Sequence, residues 1–173
     1  MAACCEQDLK GHDMNLDRLK GLNGMELLEK VIRGEISHPS MATTIPMKLV
    51  KAEKGFAEFE ARADKNHLNP MGTIHGGFTA TVLDSVTGCA VHTMLGPEDK
   101  YATIDLNVKM LKPIPMDVTL KARANVIHCS KRLGVSEGTL EDERGIIYAH
   151  ATAICMISRM NNDKILHLTK SNA

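Results

Sequence analysis

The sequence is organised around residues 69–89, which read N-P-M-G-T-I-H-G-G-F-T-A-T-V-L-D-S-V-T-G-C. Between Asn66 and Pro97 the only formally charged side chain is that of Asp84. Apolar residues surround Asp84 on every side of a helical wheel, a pattern typical of a buried helix. A carboxylate in such a segment costs free energy unless it has partners or a task. Asp84 is therefore the first candidate functional residue.

A glycine-rich turn precedes this helix and places Gly76 and Gly77 at its start. The first N–H groups of a helix have no intrahelical partner, and the helix dipole favours negative charge beside them. Glycine also lets a ligand approach the backbone closely. Two interpretations stay open, a set of donors for a developing oxyanion or a plain tight turn. His75 is likewise either a donor to the same oxyanion or a side chain hydrogen-bonded to the loop backbone.

The composition excludes several classes of protein. The chain has 173 residues with 43% hydrophobic content, enough for one domain with a real core. Lys+Arg and Asp+Glu both number 21, which argues against nucleic-acid binding. We find no membrane-spanning run and no signal-peptide pattern at the start. Five scattered cysteines without C-x-x-C spacing predict reduced thiols in a cytoplasmic protein. The histidines form no H-x-x-x-H pair, so no metal site is predicted.

The hydrophobic periodicity predicts a single domain over residues 16–158, between a disordered tail at 1–15 and a polar tail at 159–173. An amphipathic helix is expected at 16–33, and a buried helix at 76–95. Six strands are expected. Period-2 alternation predicts those near residues 57–61, 102–110 and 118–126, shorter runs between turns predict 47–52 and 133–141, and a long, mostly apolar run predicts a central strand at 145–158. Short turns between the last strands imply an antiparallel sheet, and only the buried helix is apolar enough to fill its concave face. The expected class is α+β, a curved antiparallel sheet wrapped around one long helix, with an extra N-terminal helix.

The pattern Asn69-Pro-x-Gly-x-x-His75-Gly76-Gly77, with Asp84 nine residues after His75, resembles the hotdog-fold acyl-CoA thioesterases of the PaaI type, named for phenylacetic acid degradation. The stretches 103–107, 111–113 and 148–153 also resemble that family, and the likeness covers about residues 22–157. The resemblance implies a hotdog fold. It also implies hydrolysis of an acyl-CoA thioester to the free carboxylic acid and CoA, with no metal or redox cofactor.

The resemblance also implies roles for individual residues. The backbone N–H of Gly77 would bind the thioester carbonyl, and Asp84 would act as nucleophile or as general base for water. Asn69 and His75 would support the oxyanion side of the site. Thr103 stands where the family has a serine or threonine that places the water or the carboxylate.

Further residues are candidates for substrate binding. Thr103 is predicted to share a strand face with Asp105 and Asn107, which either line the site or form the solvent side of an edge strand. Gly76 would allow close approach of the substrate, and Phe78 is expected to line the acyl pocket. The turn at 130–132 contains two cations that either bind the phosphates of CoA or are simply solvated, namely Lys131 and Arg132.

The spacing within the helix predicts self-association. Asp84 lies seven residues beyond Gly77, which is about 10 Å along a helix. One carboxylate cannot reach a carbonyl that is held within about 3 Å of the Gly77 N–H of the same chain. If both residues act, two chains share each site, which predicts an obligate two-fold homodimer. The expected assembly is this homodimer or a dimer of dimers. The alternative for Asp84 is a structural carboxylate that caps a neighbouring loop.

Two other functions compete with hydrolysis on the same scaffold. One is a non-catalytic acyl-CoA-binding or ligand-sensing module, which would bind acyl-CoA without turnover. The other is a hydratase or dehydratase, whose different histidine-bearing motif is not found here. The expected partners are an acyl-CoA substrate and further copies of the chain, with no nucleic acid and no membrane.

Overall fold

The computed structural model describes residues 21–97 and 99–158, and these form one antiparallel sheet of six strands with helices against it. The strands lie in the order β1-β2-β4-β5-β6-β3, so β1 and β3 are the two edges. The elements in chain order are α1 (Gly24–Ile32), α2 (Met41–Thr44), β1 (Met47–Glu53), β2 (Phe56–Arg62), a 3-10 helix (Lys65–His67), α3 (Gly76–His92), β3 (Lys100–Met110), β4 (Thr119–Cys129), β5 (Leu133–Glu141) and β6 (Ile147–Ser158). This confirms the predicted α+β class, while both predicted tails lie outside the described residues.

Helix α3 lies on the inner face of the sheet and is buried on most sides, as its uncharged sequence predicts. It ends at His92, three residues before the expected end at Leu95. The reason is Thr93, whose hydroxyl donates to the Ala90 carbonyl at 2.6 Å and accepts the Gly55 N–H at 2.7 Å. Residue 93 thereby joins the end of the helix to the turn between β1 and β2.

Small residues allow α3 to pack closely on the sheet. The inner positions of β2, β4 and β6 are dominated by buried alanines: Ala57, Ala61, Ala122, Ala124, Ala149, Ala151 and Ala153. On β5 a Cβ added at Gly134 would lie 2.6 Å from Cγ1 of Val91, well inside van der Waals contact. Interiors are packed as densely as organic crystals, so larger side chains here would push the helix off the sheet.

Helix α1 begins at Gly24 rather than at the expected Leu16, and residues 16–20 lie outside the described part of the chain. Asn23 caps it, because its side chain accepts the Glu26 N–H at 2.9 Å while the Glu26 carboxylate accepts the Asn23 N–H at 2.8 Å. A Cβ at Gly24 would lie 1.9 Å from the His92 carbonyl oxygen. Glycine is therefore required where α1 crosses the end of α3.

The turn between β5 and β6 is built on Asp142, whose exposed fraction is only 5%. The carboxylate accepts the N–H groups of Arg144 and Ile146, both at 3.0 Å, and the Tyr148 hydroxyl at 3.0 Å. The Arg144 guanidinium donates to it at 2.9 Å. Burial by itself would raise the pKa of Asp142, but these hydrogen bonds outweigh it and hold the pKa at about 2.

This depressed pKa predicts a distinct acid sensitivity. Because the pKa of Asp142 is lower in the folded chain than its usual 3.8, the carboxylate stabilises the fold above about pH 4, and that contribution is lost as the pH falls toward 2. We expect Asp142→Asn to be less stable than wild type at pH 7 and to lose less stability between pH 4 and 2. Urea unfolding across that range measures both slopes. Equal slopes in the two proteins would contradict the assignment.

Candidate active site

Asp84 lies at the middle of α3 and its Oδ1 atom is fully buried. No residue in the described part of the chain donates a hydrogen bond to that oxygen, and none forms a salt bridge with Asp84. One helical turn later, a Cβ added at Gly88 would lie 3.0 Å from the Tyr101 hydroxyl, so this side of α3 faces the edge strand β3. A buried carboxylate oxygen without a partner is costly and needs a functional explanation.

The groups around Asp84 are neutral at physiological pH. Burial, followed by the nearby Asp84 charge, raises the pKa of the Cys89 thiol to about 12. Burial and neighbouring Cys89, Cys155 and Asp84 raise the pKa of Tyr101 far above its ordinary value. Burial also raises the pKa of Cys155, although a hydrogen bond with Thr103 opposes the shift. Because thiolates are the reactive form of cysteine, neither thiol is a competent nucleophile here, which leaves Asp84 as the candidate catalytic group among these residues.

Thr103 lies on the inner face of β3, with its hydroxyl 3.9 Å from Sγ of Cys155 on β6. The pairing of β3 with β6 is irregular between Thr103 and Asp105, where Ile104 forms a bulge. The extra residue reverses the alternation, so Asp105 and Asn107 lie on the outer face. The prediction that these three residues share a face is therefore wrong, and the structure brings Thr103 but not Asn107 toward α3.

Asn69 organises the loop that precedes the glycines. Its side-chain oxygen accepts the N–H groups of Met71 at 2.9 Å and Thr73 at 3.2 Å, and its amide nitrogen donates to the Thr73 hydroxyl at 2.8 Å. Every side-chain hydrogen bond of Asn69 among the described residues thus stays within its own loop. Asn69 shapes the turn that presents the start of α3.

His75 is the N-cap of α3, and its Nδ1 accepts the Gly77 N–H at 2.8 Å. Of the two interpretations left open by the sequence, the bond to loop backbone is the one observed. The Gly77 N–H already has this partner, whereas the Gly76 N–H has none among the described residues. Gly76 is the first helical residue, and a Cβ there would lie 2.8 Å from Sδ of Met110. The start of α3 therefore presents the Gly76 N–H, without a partner among the described residues, beside the Met110 side chain.

The remaining candidates lie apart from Asp84. Phe78 is 2% exposed and supports the glycine turn from the core. Lys131 and Arg132 are exposed in the turn between β4 and β5, on the side of the C-terminal end of α3, where Gly134 contacts Val91. Within one chain, α3 lies between that turn and Gly76, and a 17-residue helix is about 25 Å long. A single chain does not bring these cations to the glycine turn.

Two negative findings concern residues 21–97 and 99–158. Their His, Cys, Asp and Glu side chains do not gather in threes that would hold a metal ion. None of the helices there combines the length and the apolar character needed to cross a bilayer.

Comparison with known proteins identifies relatives of this sequence. Residues 71–149 match the family model of the thioesterase superfamily. Human acyl-coenzyme A thioesterase 13 is 28% identical over 96 residues, which are 55% of this chain and 67% of that protein. A Halobacterium salinarum protein described as a candidate esterase is 41% identical over 75 residues, 42% of this chain and 48% of that protein. The chain thus spans about half to two thirds of the length of these curated relatives.

Solved structures share the architecture over nearly their whole length. A phenylacetic acid degradation-related protein of Ralstonia eutropha has a TM-score of 0.68 and 29% identity, over 75% of this chain and 98% of that chain. The E. coli PaaI protein of the phenylacetic acid degradation operon has a TM-score of 0.68 at 18% identity, over 79% of this chain and 96% of that chain, and shares the fold. The family match from the glycine turn into β6, the related sequences and this common architecture show that the chain has the hotdog fold, carries a thioesterase superfamily match over residues 71–149 and is similar to PaaI-type members of that superfamily.

Proposed function

We propose that the protein hydrolyses an acyl-CoA thioester to the free carboxylic acid and CoA. The observation that supports this most directly is the buried Oδ1 of Asp84, which has no partner among the described residues and lies on an otherwise uncharged helix. Such an oxygen is available either to accept a proton from an attacking water or to attack the thioester carbonyl itself. The relationship to human acyl-coenzyme A thioesterase 13 supports acyl-CoA as the substrate class.

The oxyanion donor in this proposal is the Gly76 N–H. The sequence pointed to Gly77, but the Gly77 N–H donates to His75, so the unpaired donor is one residue earlier. The helix dipole of α3 adds to its effect on a carbonyl oxygen that gains negative charge. His75 and Asn69 then act by holding the turn in shape.

The reaction has two forms that use the same groups. In the first, water attacks the carbonyl carbon as Asp84 takes its proton, and collapse of the tetrahedral intermediate breaks the carbon–sulfur bond and returns the proton to the CoA thiolate. In the second, Asp84 attacks directly, CoA leaves, and water hydrolyses the resulting anhydride. Thr103, on the strand facing Asp84, would hold the water in either form.

Two chains are needed for one site in this proposal. Gly76 and Asp84 of one helix are eight residues apart, about 12 Å along its axis, too far to act on one carbonyl. A second copy that pairs along the free edge of β3 would set the start of one α3 beside the middle of the other. The Lys131–Arg132 turn of the chain that supplies Asp84 would then lie beyond the glycine turn of the other chain, where the CoA phosphates leave the site.

Mixing two inactive variants tests the shared site. Asp84→Asn and Gly76→Pro homodimers each lack one of the two required groups, whereas half of a randomised mixture is heterodimer with one intact site. We expect about a quarter of wild-type activity after unfolding and refolding the two together. Mixing without subunit exchange is the control. No recovery despite exchange would mean that both groups act within one chain.

A thiol-release assay on aromatic, short and long acyl-CoA substrates tests the activity. We expect wild type to release CoA from at least one of these thioesters with multiple turnovers. Tight acyl-CoA binding without thiol release would instead support the non-catalytic binding module. Hydration of an enoyl-CoA would support the hydratase alternative.

Three further features belong to the proposal. The cysteines in the described part of the chain are free thiols, which supports a reducing cytoplasmic location. Side chains of α1 and β1 pack into the same hydrophobic cluster as α3 and the inner face of the sheet, which supports the proposal of a single domain across residues 16–158. Sedimentation of the purified protein decides whether dimers pair into the expected tetramer.

A further inference from the structure

His67 links the glycine turn to the rest of the domain. It ends the 3-10 helix between β2 and the turn, and only 8% of its side chain is exposed. A buried histidine with several partners is costly to move, because each partner would be left unpaired. Its contacts reach three separate segments of the chain.

Both ring nitrogens of His67 have partners. Nε2 lies 3.2 Å from the carbonyl oxygen of Thr44 at the end of α2, and a carbonyl only accepts, so Nε2 carries a proton. Nδ1 lies 3.1 Å from the Asp64 backbone nitrogen and 2.9 Å from the Asp64 carboxylate, so Asp64 holds Nδ1 either as the acceptor of its N–H or as the donor to its carboxylate. These contacts at opposite sides of the ring fix its orientation.

The backbone of His67 holds the residue that caps α3. Its carbonyl accepts the His75 N–H at 2.8 Å. The next pair inward, Leu68 and Ile74, forms an antiparallel bridge, and the Asn69 N–H donates to the Thr73 carbonyl at 2.8 Å. The two arms of the loop are therefore paired antiparallel, and the hydrogen bond between the His75 N–H and the His67 carbonyl is the one farthest from the tip of the loop.

The ring of His67 also contacts the other side of the glycine turn. It packs edge-on against Phe78, with ring centroids 5.2 Å apart and planes at 68°. Phe78 directly follows Gly77 and its N–H donates to the His75 carbonyl at 3.0 Å. His67 thus contacts the residue before the two glycines and the residue after them.

We infer that His67 is a positioning residue, which fixes the N–H groups at the start of α3 in the orientation that an oxyanion needs. The inference rests on the proposed function, in which Gly76 supplies that donor. His67 itself need not touch the substrate. A displacement of about 1 Å in a catalytic group can cost on the order of a hundredfold in rate. A positioning residue of this kind therefore affects turnover more than substrate binding.

Kinetics of His67 variants in the full chain test the inference. We expect His67→Ala to lower kcat at least about tenfold with KM little changed. His67→Gln keeps an amide donor toward Thr44 and should recover part of that loss. Asn23→Ala is the matched control, because it removes the cap of α1 at the opposite end of α3. It should lower the melting temperature and leave kcat unchanged.

Amide hydrogen exchange gives a readout that does not depend on activity. We expect His67→Ala to speed the exchange of the Gly77 amide, which His75 protects, and Asn23→Ala to leave it unchanged. Wild-type kcat in folded His67→Ala, or unchanged Gly77 exchange, would overturn the positioning role. If His67→Ala does not fold, the same two measurements on His67→Gln decide. If wild type releases no thiol from any acyl-CoA, the proposed function fails, while the exchange data still decide whether His67 holds the turn.

Discussion

Replacement of Asp84 by asparagine should lower kcat for thioester hydrolysis at least about a hundredfold, because an amide neither accepts a proton from water nor attacks a carbonyl. The same variant should be as stable as wild type or more stable. Oδ1 of Asp84 is buried without a partner among the described residues, so the substitution removes a costly charge and breaks no hydrogen bond of that atom. Thiol-release kinetics and urea unfolding measure the two effects.

Ser85→Ala is the matched control for this experiment. Ser85 is the next residue of α3, and its hydroxyl donates to the Thr81 carbonyl of the same helix at 2.9 Å. It should therefore keep near-wild-type kcat. A folded Asp84→Asn protein with full activity would remove the mechanism. A variant that is both inactive and strongly destabilised would favour a structural role for the carboxylate.

Replacement of Gly76 by proline should lower kcat by about 10²- to 10³-fold, the usual cost of one oxyanion donor. Gly76 is the first residue of α3, where proline fits a helix well. Proline there removes the backbone N–H and adds a ring beside the Met110 side chain. The preceding residue, His75, has φ −64° and ψ 136°, an extended conformation that a following proline favours. Helix α3 should therefore persist, as circular dichroism and thermal melting would show.

Gly76→Ala separates the lost donor from the added bulk. Like proline, alanine introduces a Cβ that meets the end of the Met110 side chain, but alanine keeps the backbone N–H. Met110 is 56% exposed and flexible, so it can move aside and much of the activity should remain. Equal losses in the two variants would indicate a steric effect. Full activity of Gly76→Pro would mean that a group other than the Gly76 N–H is the oxyanion donor.

Several elements of the fold follow from local sequence patterns. The uncharged run around Asp84 determines that α3 is buried, because no face of it suits water. Alternation along β2 and β3 identifies strands, since successive side chains of a strand point to opposite faces. The predicted start of α1 at Leu16 is wrong, because apolar periodicity continues upstream of Gly24. In the structure the capping box of Asn23 and Glu26 makes Gly24 the first residue of the helix.

By itself, the sequence determined which residue types stand at the candidate site, namely Asp84, the glycine pair and Thr103. Only the tertiary structure decided which of their atoms are available. The His75 ring accepts the Gly77 N–H, the Gly76 N–H has no partner in the described part of the chain, and the bulge at Ile104 turns Asn107 outward. The physical reason is that a one-dimensional pattern records the period of each element, whereas hydrogen-bond partners and bulges depend on contacts between segments far apart in the chain.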